Sequence, residues 1–185
     1  MTEKRVSSRY ARALLSTAKE ADQVDTVFND LDKIKKITGE SRDFYNLLKS
    51  PVIPFWQKKD ILKEILEPAV SELTLKFVLL LADKRRESML GSIIEEYVRQ
   101  YNEFKNRIPV AITSAVELQD EIRQKIQSKL EEVTEKIVLS DFIVDERLKG
   151  GILIRIRDWV YDASIRNQLQ VLHEKLASEG IKSFS

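Results

Sequence analysis

"YNEFKNRIPVAITSAVEL", residues 101–118, holds the point at which the chain changes its period. Up to Phe104 the apolar side chains return every three or four residues, which places them on one side of a helix. From Ile108 onward Ile108, Val110 and Ile112 alternate with Pro109, Ala111 and Thr113, the two-residue period of a strand with one buried face. The switch divides the 185 residues into a helical domain, 1–106, and a mixed domain, 107–185.

Upstream of the switch, Leu90, Ile94, Tyr97, Tyr101 and Phe104 share one side of a sixth helix. The first helix carries Val6, Tyr10, Ala13, Leu14, Thr17 and Ala18, and the second Val24, Val27, Phe28, Leu31 and Ile34, with Asp22 as its candidate cap. Gly39 and Ser41 close the second helix and open a short third one bearing Phe44, Leu47 and Leu48. Pro51 and Pro54 interrupt the chain; a fourth helix from about Phe55 turns Ile61, Leu62, Ile65 and Leu66 inward until Pro68 stops it. The fifth, over 73–83, is apolar on most of its circumference. Six helices joined by short loops predict a bundle.

Downstream, helical spacing returns through Ile122, Ile126, Leu130 and Val133, and a β-branched run follows over 137–144. Beyond Gly150 and Gly151, Ile152, Ile154 and Ile156 alternate with Leu153, Arg155 and Arg157, and a last helix from near Asp162 is expected to bury Ile165, Leu169, Leu172 and Leu176. The fold class is therefore mainly α, a six-helix bundle followed by a small α+β domain. So small a domain has little core, and with no disulfide or metal to staple it, it is expected to be the looser half when alone.

Composition removes whole classes of function. The 31 basic and 30 acidic residues nearly cancel, so no large net field draws nucleic acid or anionic lipid. Without cysteine there is neither thiolate chemistry nor cysteine-ligated zinc. His173 is the only histidine, so a multi-histidine metal site is impossible, and its place beside an apolar stripe reads as a helix-surface residue. The carboxylate pairs Glu95/Glu96 and Glu131/Glu132 fall on polar helix faces. The basic clusters Lys33/Lys35/Lys36, Lys58/Lys59 and Lys84/Arg85/Arg86 have acidic neighbours and no interleaved aromatics. The start, "MTEKRVSSRYARALL", lacks the apolar core of a secretion signal and reads as a mature terminus; the longest strongly apolar run, Phe77 to Ala82, is far short of a membrane span.

The glycine pair in "LKGGILIRI" invites comparison with a phosphate cradle, yet it leads into a strand and lacks the Gly-Lys-Ser/Thr of a helix start. Its better reading is backbone freedom just before a strand pairs. What stands out instead is a first helix of small and apolar residues, "RYARALLSTA", together with a fifth reading "LKFVLLLA". A groove between them would accept an amphipathic helix from a partner.

Four stretches resemble the delta subunit family of the F-type ATP synthase, called the oligomycin-sensitivity-conferring protein in mitochondria: "RYARALLSTA" (9–18), "LLLADKRR" (79–86), "VAITSAVEL" (110–118) and "VDERLKGGILIRIRDWVYDASIRNQL" (144–169). The resemblance spans nearly the whole chain and implies a non-catalytic, cofactor-free stator subunit that joins the catalytic head to the peripheral stalk. It implies that an N-terminal helix of an alpha subunit enters the groove of helices one and five, a role carried over to Tyr10, Ala13, Leu14 and Thr17 and to Leu75, Val78, Leu79 and Ala82. It also implies that the C-terminal domain meets the stalk's b subunit, that Gly150, Gly151, Asp162 and Ser164 form a structural signature, and that the membrane is met only through the complex, at the cytoplasmic face of a bacterial plasma membrane. Where many members carry glycine in the hairpin after the signature strand, this chain has Arg157 and Asp158, and a two-residue turn wants a positive φ that arginine disfavours. The alternative to a stator subunit is a helical interaction adaptor with a nucleic-acid-associated role.

Overall fold

The computed structural model describes residues 3–180, with side chains described through residue 174. The chain divides into two units, Met1–Lys105 and Asn106–Ser185, one residue before the boundary expected from the change of period.

The first unit holds six α-helices: α1 (Glu3–Glu20), α2 (Val24–Glu40), α3 (Arg42–Lys49), α4 (Phe55–Leu66), α5 (Glu72–Asp83) and α6 (Leu90–Phe104). Their stripes meet in one core, with Val27, Leu31, Ile34, Leu62, Leu66, Leu81, Ile93 and Tyr97 fully enclosed. α1 lies chiefly along α6. Ser7, Ala11 and Ala18 are wholly buried on α1, and such small side chains let two helix axes approach closely; the Ser7 and Ser92 hydroxyls share a hydrogen bond of 2.9 Å.

Polar contacts fix how the helices are joined. The Ser41 hydroxyl accepts from the Phe44 N–H at the start of α3, and Ser71 accepts from the Thr74 N–H at the start of α5. Asp30, buried on α2, accepts from the Ser71 N–H at 2.7 Å and from the Lys33 ammonium at 3.2 Å, tying α2 to the entry of α5. The buried Lys58 ammonium of α4 donates to Glu87 at 2.6 Å, in the short 3-10 turn before α6.

Some sequence expectations move. Asp22 does not cap α2: it sits at φ 53, Gln23 takes the cap position, and the Gln23 N–H donates to Ala18, so these residues close α1 instead. Ile65 and Phe104 are partly exposed, at 39% and 48%; the Lys19 ammonium lies 3.9 Å from the Phe104 ring centre and covers it. A period of 3.6 names a helix face, and neighbouring helices decide how wide a strip of that face they cover.

The second unit is a four-stranded sheet with two helices: β1 (Arg107–Ser114), α7 (Asp120–Thr134), β2 (Ile137–Val144), β3 (Ile152–Ile156), β4 (Trp159–Asp162) and α8 (Ile165–Gly180). The strand order is β2-β1-β3-β4, with β1 parallel to β2 and antiparallel to β3, and β3 antiparallel to β4. Ile108, Val110, Ile112 and Val138 form the core cluster, and Ile126 and Leu130 of α7 pack against it. No α7 residue is fully buried, and Ile122 and Val133 are exposed. The burial expected of α8 is corrected: Ile165, Leu169 and Leu172 are 45%, 61% and 52% exposed, because a four-residue core cannot cover every apolar stripe presented to it. Leu176, expected on the same stripe, lies outside the described side chains. Ile156 pairs with Trp159, so Arg157 and Asp158 do form a two-residue turn, and Arg157 takes the left-handed φ of 52 that the turn demands.

Candidate partner-binding surfaces

On the helical unit, Val6, Arg9, Tyr10, Ala13 and Arg86 line a depression of about 370 Å³. Helical spacing puts Val6, Tyr10, Ala13 and Thr17 on one face of α1, and Ala13 and Thr17 are exposed there while Tyr10 is half-buried. Tyr10 reaches α5 through Phe77, edge to face, with ring centroids 6.5 Å apart. Of the eight residues carried over to the groove, Leu14, Leu75, Val78 and Ala82 belong to the core, at 3%, 9%, 0% and 0% exposure; they support the surface from beneath and do not line it. Leu79 is half-buried against the same core. On α5 the side turned to Tyr10 is that of Phe77, and Leu80, three residues on, is 45% exposed. Phe77 was missed because a helix that is apolar nearly all round offers no periodic signal for which face meets which neighbour.

The basic cluster after α5 spreads over different surroundings. Arg85, at φ 55, holds its guanidinium 5.7 Å from the Phe55 ring centre, whereas Arg86 borders the α1 depression.

In the second unit the glycine pair and the Asp162/Ser164 pair turn out to be parts of one joint. The Gly150 carbonyl accepts from the Ile165 N–H, and the Ile152 carbonyl from the Ala163 N–H, so the entry of β3 is laced to the start of α8. Gly151 has φ 78, and a Cβ there would fall 2.3 Å from the Ala163 carbonyl oxygen, a separation no side chain tolerates. Asp162 accepts from the Ser164 N–H at 2.9 Å, and buried Ser164 accepts from the Asn167 N–H at 3.2 Å, capping α8. The hydrogen bond from Ser164 holds the Asp162 carboxyl below the usual carboxylate range. All four signature residues thus shape backbone.

Around that joint the unit exposes apolar side chains in quantity. Trp159, Val160 and Tyr161 of β4 are 83%, 52% and 68% exposed, and Ile165, Leu169 and Leu172 of α8 are exposed as well. Ile137, Leu139 and Ile143 alternate along β2 on the sheet face away from α7, also exposed. Clusters of this kind mark interaction surfaces.

No constellation for catalysis converges among the described residues. His173 is exposed on α8. Glu96 pairs with Arg99 at 3.0 Å, and Glu131 accepts from the Val138 N–H at the start of β2, so these carboxylates are structural. Among the described residues no three His, Cys, Asp or Glu side chains gather to hold a metal ion, and no helix is long and apolar enough to cross a membrane.

Comparison with known proteins meets this geometry. The family model of the ATP synthase delta (OSCP) subunit matches residues 6–176. The ATP synthase subunit delta of Chlorobium phaeobacteroides strain BS1 is 38% identical over 94% of this chain and 96% of its own length. That of Acetivibrio thermocellus is 35% identical over 92% and 97%. A chain in the cryo-EM structure of the Toxoplasma gondii mitochondrial ATP synthase hexamer superposes with a TM-score of 0.72, covering 92% of this chain and 97% of that one; at 20% identity this is a likeness of fold.

Proposed function

The chain belongs to the ATP synthase delta (OSCP) subunit family, a non-catalytic part of the F-type ATP synthase stalk, and from that premise we propose which surface meets which neighbour. The helical unit takes an alpha-subunit N-terminal helix of the catalytic head at the α1 depression, through Val6, Tyr10 and Ala13, with Thr17 further along the same face of α1 and Leu80 exposed on α5, while buried Phe77 supports Tyr10 from beneath. The mixed unit meets the b subunit of the stalk through the exposed apolar side chains of β4 and α8. The observation that carries this reading is that each unit leaves apolar side chains uncovered, in a concave site on one and along a strand and helix on the other. In a bacterial cell, as in the bacteria of the relatives, the subunit then sits at the cytoplasmic face of the plasma membrane, held there by the complex.

The mechanical role follows from linkage of the two contacts. A stator must not slip while the rotor turns, and two modest contacts on one chain make the second effectively intramolecular, raising the combined hold far above either alone. No bond is made or broken by this subunit. Its work is to keep the head from following the rotor.

Calorimetric titration of the whole chain with an alpha N-terminal peptide, and separately with the soluble part of b, tests the assignment. Ala13→Arg should abolish peptide binding and spare b, whereas Leu169→Asp with Leu172→Asp should do the reverse. Equal loss of both partners in either variant would sink the division of labour.

A further inference from the structure

The charge along α1, whose residues line most of the depression, is segregated in a way the other helices of the bundle are not. The chain as a whole is nearly neutral, yet from Lys4 to Lys19 α1 carries Lys4, Arg5, Arg9, Arg12 and Lys19 with no carboxylate between them. Among the described residues no α1 side chain takes part in an ion pair, whereas cations elsewhere in the unit do: Lys36 with Asp32, Lys59 with Asp83, Lys76 with Glu72, Arg99 with Glu96 and Glu103. Two arginines border the depression itself, Arg9 on one side and Arg86 beyond the end of α5. Among the described residues neither Arg9 nor Arg86 has a carboxylate partner, and the Arg86 guanidinium lies 3.7 Å from the Met89 sulfur. Both are exposed, with Tyr10 and Ala13 in the lining they share.

We infer that the segment seated in this depression is an acidic amphipathic helix, whose apolar stripe covers Val6, Tyr10 and Ala13 while carboxylates on its flanks pair with Arg9 and Arg86. The inference rests on the docking reading above and adds the chemistry of the partner to it. A guanidinium offers a planar fork of N–H donors that matches a carboxylate with two parallel hydrogen bonds, so an arginine on each rim fixes the helix's position as well as attracting it. Rim charges act mostly on the rate of encounter and on salt dependence, while the apolar contact supplies the hold.

The test uses the whole chain and a synthetic peptide of the alpha subunit's N-terminal segment from the same genome, titrated at low and at high salt. We expect affinity to fall as salt rises. Arg9→Gln and Arg86→Gln should each weaken binding about two- to fivefold at low salt and hardly at all at high salt, the scale of exposed ion pairs. A peptide whose Asp and Glu are replaced by Asn and Gln should bind the native chain as weakly as the native peptide binds the double arginine variant. Circular dichroism controls for folding, and Leu80→Asp should weaken binding at both salt levels. Binding that ignores salt, both arginine substitutions and the amide peptide would overturn the inference while leaving the docking site standing. Equal binding of a scrambled peptide would overturn it too, by reducing the site to a non-specific basic patch. No binding of the native peptide at either salt would instead bring down the docking reading itself.

Discussion

Gly151 and Asp30 show how single positions hold the two units. At Gly151 the backbone takes φ 78, and a methyl group would meet the Ala163 carbonyl at 2.3 Å. Gly151→Ala must therefore push the entry of β3 away from the Ala163–Ser164 segment that leads into α8, and we expect it to cost about 2 to 4 kcal/mol, enough to unfold a small unit. Gly39 is the control: it lies in the last turn of α2 with nothing within 4 Å of an added Cβ, so Gly39→Ala should be neutral or gain up to about 1 kcal/mol. Urea midpoints for the two variants would test the contrast, and equal shifts would refute it. At Asp30 burial pushes the carboxyl up, but hydrogen bonds from the Ser71 hydroxyl and N–H, from Lys33 and from Thr74 together hold it below its ordinary range. A carboxyl whose pKa is lower folded than unfolded adds stability above the unfolded value, about pH 4, and loses it as pH falls through the folded value. Asp30→Asn should cost roughly 1 to 3 kcal/mol at neutral pH and flatten the loss of stability as pH falls below about 4. An unchanged slope in acid titration would show that Asp30 contributes nothing to it.

Elements were legible in proportion to how much of their environment lies within their own residues. The alternation of Ile108, Val110 and Ile112 is local, and all three are buried on one face of β1. The stripe of α8 has the same regularity, yet Leu169 and Leu172 stay exposed, because a pattern states which side chains share a face and not what covers that face. The face of α5 that meets Tyr10 was illegible for the opposite reason: with apolar residues on nearly every side, Phe77 and Val78 look alike in sequence, and only packing turns one toward Tyr10. Helix ends depend on single backbone angles. α7 closes through Glu135 at φ 55, whose N–H donates to Glu131, a position that favours glycine. The Glu135 side chain is exposed, and the Asn106 amide donates to the Glu135 carbonyl at 3.1 Å, a backbone contact that glycine would keep. Glu135→Gly should therefore stabilise the second unit by about 0.5 to 1 kcal/mol, the relief of a left-handed residue less the entropy glycine adds to the unfolded chain. A lower urea midpoint for Glu135→Gly would contradict this reading of the cap.

At the scale of the molecule the two units are unequal. The bundle's core draws on all six helices, whereas the sheet unit's core cluster is Ile108, Val110, Ile112 and Val138 with partly buried neighbours. Apolar burial at about 25 cal/mol per Å² is the main favourable term in folding, so the unit that buries less and exposes Trp159, Tyr161 and Leu169 should open more readily. The proposed contact with b gives this a physical use: side chains left uncovered for a partner cannot also stabilise the isolated unit, and binding of that partner should return the missing stability. Hydrogen exchange followed by mass spectrometry should therefore show lower protection in β1 and β3 than in α1 and α6 of the free chain. Saturating b at about a hundred times its dissociation constant adds roughly 2.7 kcal/mol to whatever state it binds, or close to a hundredfold slower exchange for openings that release it. That slowing should appear in the sheet unit alone, and the alpha peptide should slow exchange in α1 and α5 alone. Protection that rises across both units with either ligand would mean that they open as one body, and the picture of two separately anchored contacts would have to be given up.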